Sequence, residues 1–123
     1  MDIPHSLDAA FDRFDALWEP RIVARINDYD VKIAKVEGEY PEHAHPETDE
    51  YFHVLAGELT LTFPDEGRKV TLTAGEVFTV PRGIRHRPSA TTGTRILMFE
   101  PAGTRNSGDS GVAGTTGVPL DDE

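Results

Sequence analysis

The chain has 123 residues, no cysteine and a formal charge of −10, from 22 acidic and 12 basic side chains. That length holds one domain and leaves no room for a second independent core. The acid surplus disfavours nucleic acid and anionic lipid as partners, and the missing cysteine excludes disulfides, thiolate metal sites and a thiol nucleophile. No stretch approaches the about 18 apolar residues that a membrane span needs. The start, Met1-Asp2-Ile3-Pro4-His5, lacks the basic and apolar regions of a signal peptide, so the expected location is the cytoplasm.

Residues 1–20 read as an N-terminal helical segment. Leu7, Ala10, Phe11, Phe14, Leu17 and Trp18 recur at helical spacing, which predicts one short amphipathic helix over 6–18. Ser6 suits the N-cap, Asp8 the first turn, and Pro20 ends the pattern. Its aromatic stripe is expected to lie on a sheet or on a dimer partner.

From 21 to 100 the pattern changes to short strands, predicted over 21–26, 30–36, 50–56, 58–63, 68–73, 77–80 and 95–100. Asn27-Asp28, Gly57, Pro64-Asp65-Glu66-Gly67, Ala74-Gly75, Pro81-Arg82-Gly83 and Thr92-Gly93 punctuate them. Short strands at this spacing, with glycine and proline turns, indicate an all-β sandwich or barrel. Residues 101–123 form a Gly-rich acidic C-terminal tail. Its composition reads as flexible, with folding back over a barrel mouth as the alternative.

Chemistry concentrates in two blocks. In an extended segment residues two apart share a face, so His43 and His45 aim two imidazoles into one space. Glu50 opens an apolar strand on the face of Phe52 and Val54, where a carboxylate is either costly or ligated. His53 points the other way by the same parity and is left out. His86 follows the Pro81–Gly83 turn and arrives from a neighbouring strand. Three imidazoles and a carboxylate suit one borderline divalent metal ion: Fe, Mn, Ni, Cu, Co or Zn. If coordination is octahedral, two positions stay open for water, substrate or dioxygen, the mark of a working site. A His-x-His pair alone is commonplace, and only its conjunction with Glu50, Gly57, Gly75, Pro81, Gly83 and His86 carries weight.

That conjunction resembles the cupin superfamily. Its first motif, approximately G-x5-H-x-H-x3–4-E-x6-G, is matched by Gly38, His43, His45, Glu50 and Gly57, with one residue fewer after the first glycine. Its second, G-x5-P-x-G-x2-H-x3-N, is matched by Gly75, Pro81, Gly83 and His86, with Ala90 in place of the asparagine. The resemblance covers roughly residues 31–100 and is to small single-domain cupins, loosely called mannose-6-phosphate isomerase-like. It implies a cupin double-stranded β-helix, or jelly-roll barrel, over 21–100, and a metal held by His43, His45, Glu50 and His86. It implies no particular reaction.

Parity places Phe52, Val54, Leu61, Phe63, Phe78 and Met98 in the expected substrate pocket, with Leu59 and Val80. The last strand contributes either Ile96/Met98 or Leu97/Phe99. Arg82, Arg85 and Arg87 beside His86 read either as a guanidinium clamp for an anionic substrate group or as surface ion pairs. The expected function is that of a mononuclear metalloenzyme, of dioxygenase or isomerase type, acting on a small organic molecule. Glu50 would be ligand or, once displaced, catalytic base. The alternatives are a non-catalytic metal-dependent binding or sensor module and a metal-free structural barrel. Tyr51 and Leu55 on the outer face call for cover, which a homodimer would provide.

Overall fold

The computed structural model describes residues 3–120, so the first two residues of the N-terminal segment and the last three of the tail lie outside the described residues. The elements in chain order are α1 (Leu7–Phe11), β1 (Arg21–Ile26), β2 (Tyr29–Glu39), β3 (Glu50–Ala56), β4 (Glu58–Phe63), β5 (Arg68–Thr73), β6 (Val77–Val80), β7 (Arg87–Pro101) and β8 (Val118–Pro119). The architecture is an all-β jelly roll whose hydrogen-bonded path runs β5-β4-β7-β2-β1-β8 without closing, while β3 bridges β6 and β7. Alternation makes these strands. β4 buries Leu59, Leu61 and Phe63 and leaves Thr60 and Thr62 partly exposed. Between β3 and β4, Gly57 turns at a φ of +79°, and a Cβ there would lie 2.8 Å from the Thr94 Cα. Only glycine fits.

The strands at 21–26, 50–56, 58–63, 68–73 and 77–80 keep their expected bounds. The last long strand does not: it begins at Arg87 rather than 95, and Thr92-Gly93 is not a loop. Gly93 takes a φ of +79° within the strand. The strand thereby serves different neighbours, since Arg87–Ala90 pair with β4 while Tyr51–Val54 of β3 pair with Ile96–Phe99.

Two apolar clusters result. The barrel interior holds Ala34, Val36, Phe52, Val54, Leu59, Leu61, Phe63, Leu72, Val80, Ile96 and Met98, so Ile96 and Met98 are the inward pair. Outside the sheet, Ala10, Phe11, Phe14, Ile33 and Leu120 pack with Leu55 and Leu97. Cover for Leu55 thus comes from the chain's own helix.

The N-terminal helix is shorter than its periodicity predicts, ending at Asp12 instead of running to Trp18. Leu17 bridges to Lys35 and is 44% exposed. The Trp18 N–H donates to the Lys35 carbonyl at 2.9 Å, and its indole N–H to the Glu37 carbonyl at 3.0 Å. Both bonds lie along the border of β2, and a helix through 18 would forfeit them. Tertiary hydrogen bonding outweighs local propensity here.

The segment after Pro101 returns to the barrel. The Asn106 amide donates to the Trp18 carbonyl at 2.8 Å, β8 lies parallel to β1, and Leu120 is buried in the outer cluster.

Candidate metal centre

The loop before β3 and the turn before β7 run side by side. The His43 N–H donates to the His86 carbonyl at 3.0 Å, and the His86 N–H to the His43 carbonyl at 2.9 Å. The Gly83 N–H donates to the His45 carbonyl at 2.9 Å. Two short sequence blocks some 40 residues apart are thereby fastened backbone to backbone, which brings their imidazoles together.

Among the described residues, His43, His45, Glu50 and His86 form a buried group whose ligand atoms lie within 4.8 Å of one another. His53 stays outside it. The Nδ1 atoms of His43 and His86 face the carbonyls of Pro41 at 2.8 Å and Ile84 at 3.0 Å. A proton held there leaves each Nε2 as the donor atom, the usual arrangement behind a metal-binding histidine. His43 Nε2 is buried and has no hydrogen-bond partner. Glu50 reaches the other two rings, with Oε1 2.9 Å from His86 Nε2 and Oε2 3.1 Å from His45 Nε2. The first is at hydrogen-bond distance, and a carboxylate accepts there only from a proton on Nε2, which a bound metal would replace; the second is an ion-pair contact at which His45 Nε2 makes no directed bond.

Such a donor set fits a metal ion. Three nitrogen atoms and a carboxylate converge in a buried volume, and one of the nitrogens has nothing else to bind. The electrostatics agree. Burial alone would raise the Glu50 carboxyl, but the close contacts and charge of His45 and His86 bring it down to about 2. Burial lowers the His43 imidazole, while beside His45 the Glu50 carboxylate outweighs burial and raises it.

An apolar cavity of about 30 Å³ adjoins His43 and Glu50. Ala34, Val36, Phe52, Ile96 and Met98 wall it from the sheet, and Trp18, Tyr40 and Asn106 from outside the barrel core. Of the residues expected in a substrate pocket, Phe52 and Met98 line it. Val54, Leu61 and Phe63 belong to the packed interior, and Phe78 packs on Phe63 with ring centroids 6.0 Å apart. The three arginines lie on the surface in ion pairs, Arg82 with Asp49, Arg85 with Glu42 and Asp109, and Arg87 with Glu42. None of them lines the cavity.

Sequence reasoning missed four contributors. Tyr40 packs against Trp18 at a tilt of 32° with ring centroids 4.8 Å apart, and meets His43 in an edge-on arrangement at 5.7 Å. Lys32 and Glu100 form a fully buried ion pair of 2.8 Å. Inward parity with Ala34 and Val36, and with Ile96 and Met98, would have found that pair. Nothing in the sequence pattern singles out Tyr40 or Asn106.

Residues 29–100 match the cupin domain family, which is more than half of the chain. The chain is a cupin. It is 38% identical over 78 residues to the uncharacterised protein YdbB of Bacillus subtilis (strain 168), a match covering 63% of this chain and 68% of that protein. The crystal structure of a cupin-2 domain containing protein from Shewanella frigidimarina is similar at a TM-score of 0.75 and 40% identity, over 79% of this chain and 93% of that one. Hydroquinone 1,2-dioxygenase from Sphingomonas sp. TTNP3, solved with 4-hydroxybenzoate bound, is similar at a TM-score of 0.69 and 25% identity. There the match covers 79% of this cupin but only 31% of the enzyme chain.

Proposed function

We propose that this cupin is a mononuclear metal-dependent enzyme acting on a small hydroxylated aromatic molecule through His43, His45, Glu50 and His86. The donor group carries the reading: four buried side chains with ligand atoms within 4.8 Å, at the end of an apolar cavity. Likeness to a hydroquinone dioxygenase supports an oxidative reaction on a ring. A redox-active divalent metal held there supplies Lewis acidity and dioxygen activation; zinc would suit isomerase-type chemistry instead.

The chain's own residues do the rest. The Pro41 and Ile84 carbonyls orient the His43 and His86 rings. Glu50, ionised at neutral pH, completes the donor set or accepts a proton from a substrate hydroxyl. Phe52, Ile96 and Met98 exclude water and hold the ring face. At about 30 Å³ the cavity takes roughly two waters. A ring therefore enters only when lining from segments outside the strands, among it Trp18, Tyr40 and Asn106, moves aside.

The same small volume favours a second reading, a metal-dependent binding or sensor module without turnover. Oxygen uptake separates the two. Protein loaded with ferrous ion under nitrogen, then mixed with aerated hydroquinone or hydroxybenzoates, is expected to consume oxygen in step with loss of the ring absorbance. No uptake, with a change in the fluorescence of Trp18, the single tryptophan, would favour the binding module.

Metal uptake is also expected to depend on pH. Glu50 raises the His45 value above 6.5, and the proton on Nε2 has to leave before that atom binds a metal. Affinity for zinc should therefore fall as the pH drops through the range in which His45 takes up its proton, with protons released on binding. Titration calorimetry in buffers of different ionisation enthalpy measures this directly. A flat pH profile would speak against imidazole ligation altogether.

A further inference from the structure

Beyond the residues that match the cupin family, 29–100, the C-terminal segment reaches back to the metal centre through Asp109. Asp109 Oδ1 accepts the Ala44 N–H at 2.8 Å, and the Asp109 N–H donates to the Ala44 carbonyl at 3.1 Å. Ala44 stands between His43 and His45. Its N–H belongs to the peptide plane shared with His43 and its carbonyl to the plane shared with His45, so the two bonds fix both planes.

Gly108 presses on the same place. A Cβ on it would lie 2.5 Å from the Ala44 oxygen and 2.8 Å from Cδ2 of the His43 ring, so only glycine lets the segment come this close. On its other side Asp109 Oδ2 meets Arg85 Nη1 at 3.2 Å, next in sequence to His86. That pair is partly exposed, with side chains 37% and 41% accessible, and is worth little alone. The grip on Ala44 is the part that matters.

The segment is also anchored without Asp109. Asn106 holds the Trp18 carbonyl, Thr104 caps the Pro101 carbonyl, and Leu120 is buried under the helix. Docking of the tail does not account for two bonds placed on the residue between two histidines.

We propose that Asp109, seated by Gly108, is a positioning residue that holds the 43–45 backbone so that both imidazoles converge on the metal. This rests on the metal-centre reading above. His45 depends on it most, because His43 keeps its backbone bridge to His86 and its Pro41 contact.

The test uses the full chain, freed of metal and titrated with cobalt(II) and with zinc(II). Wild-type protein is expected to bind one equivalent. Asp109→Ala should lose about 10- to 100-fold in affinity, the usual effect of removing an outer partner of a ligand. Its cobalt complex should show an altered visible spectrum. Asp109→Asn keeps an Oδ1 acceptor and should recover most of the affinity, and Gly108→Ala should behave like Asp109→Ala. Melting of the metal-free Asp109→Ala protein should stay near that of wild type.

Wild-type affinity and spectrum in Asp109→Ala would overturn the proposal. So would an Asp109→Asn variant as weak as Asp109→Ala, or a metal-free melting loss that makes Asp109 a brace of the fold. Wild-type protein that binds neither metal would overturn the metal-centre reading itself.

Discussion

His43→Ala is expected to leave the cupin folded and to lower its metal affinity by more than the about 10- to 100-fold carried by outer partners. The geometry makes this the cleanest ligand deletion. His43 Nε2 is buried and makes no hydrogen bond, so removing the ring leaves only the Pro41 carbonyl, 2.8 Å from Nδ1, without its side-chain partner. The backbone bridge to His86 uses only main-chain atoms, which alanine retains. The space left adjoins the existing cavity, which is already walled by this residue. Deleting Glu50 instead would leave the buried His86 ring without its acceptor and confuse loss of metal with loss of stability. Elemental analysis per chain after dialysis against the metal, with a melting curve beside it, gives the answer. Unchanged metal content in a folded variant would remove His43 from the site.

Lys32→Met is expected to destabilise the protein by about 3–5 kcal/mol at neutral pH, as breaking a buried ion pair does. Lys32 and Glu100 are each 1% exposed, 2.8 Å apart, and the second Glu100 oxygen has no hydrogen-bond partner. Without Lys32, nothing shown in contact with Glu100 compensates its charge. Burial already raises the Glu100 carboxyl, and the nearby Glu50 raises it further against the pull of Lys32. Loss of Lys32 moves it higher still. A carboxyl whose folded value lies above its unfolded one takes up a proton more readily in the folded state. The destabilisation is therefore greatest above the folded value and shrinks as the pH falls toward the ordinary value of 4.5. Lys32→Met with Glu100→Leu removes both charges and should recover most of the loss, since well-packed apolar replacements of such pairs are often neutral or better. Urea unfolding at two pH values tests all three statements. A single variant within about 1 kcal/mol of wild type at neutral pH would show that the pair is not a structural requirement.

What the sequence by itself determined rests on short-range chemistry. Strand alternation has a period of two residues, and turns are written in glycine, proline and asparagine within a few positions. Most strands and the turn at Gly57 were legible for that reason. So was the His43, His45, Glu50 and His86 set, because parity and motif spacing are local even though the last member lies 41 positions beyond His45. Tertiary structure decided the rest. It ended the helix at Asp12, because Trp18 finds its partners on Lys35 and Glu37 across the border of β2. It carried the last long strand through Gly93, because Arg87–Ala90 have a neighbour in β4. It brought Trp18 and Asn106 to the wall of the about 30 Å³ cavity. The contacts with most consequence for the site join residues far apart: Lys32 with Glu100 across 68 positions, Asp109 with Ala44 across 65, and Asn106 with Trp18 across 88. Parity can turn Lys32 and Glu100 inward, but no local pattern encodes which residues meet, because each contact exists only once the whole sheet has set the distance between its members.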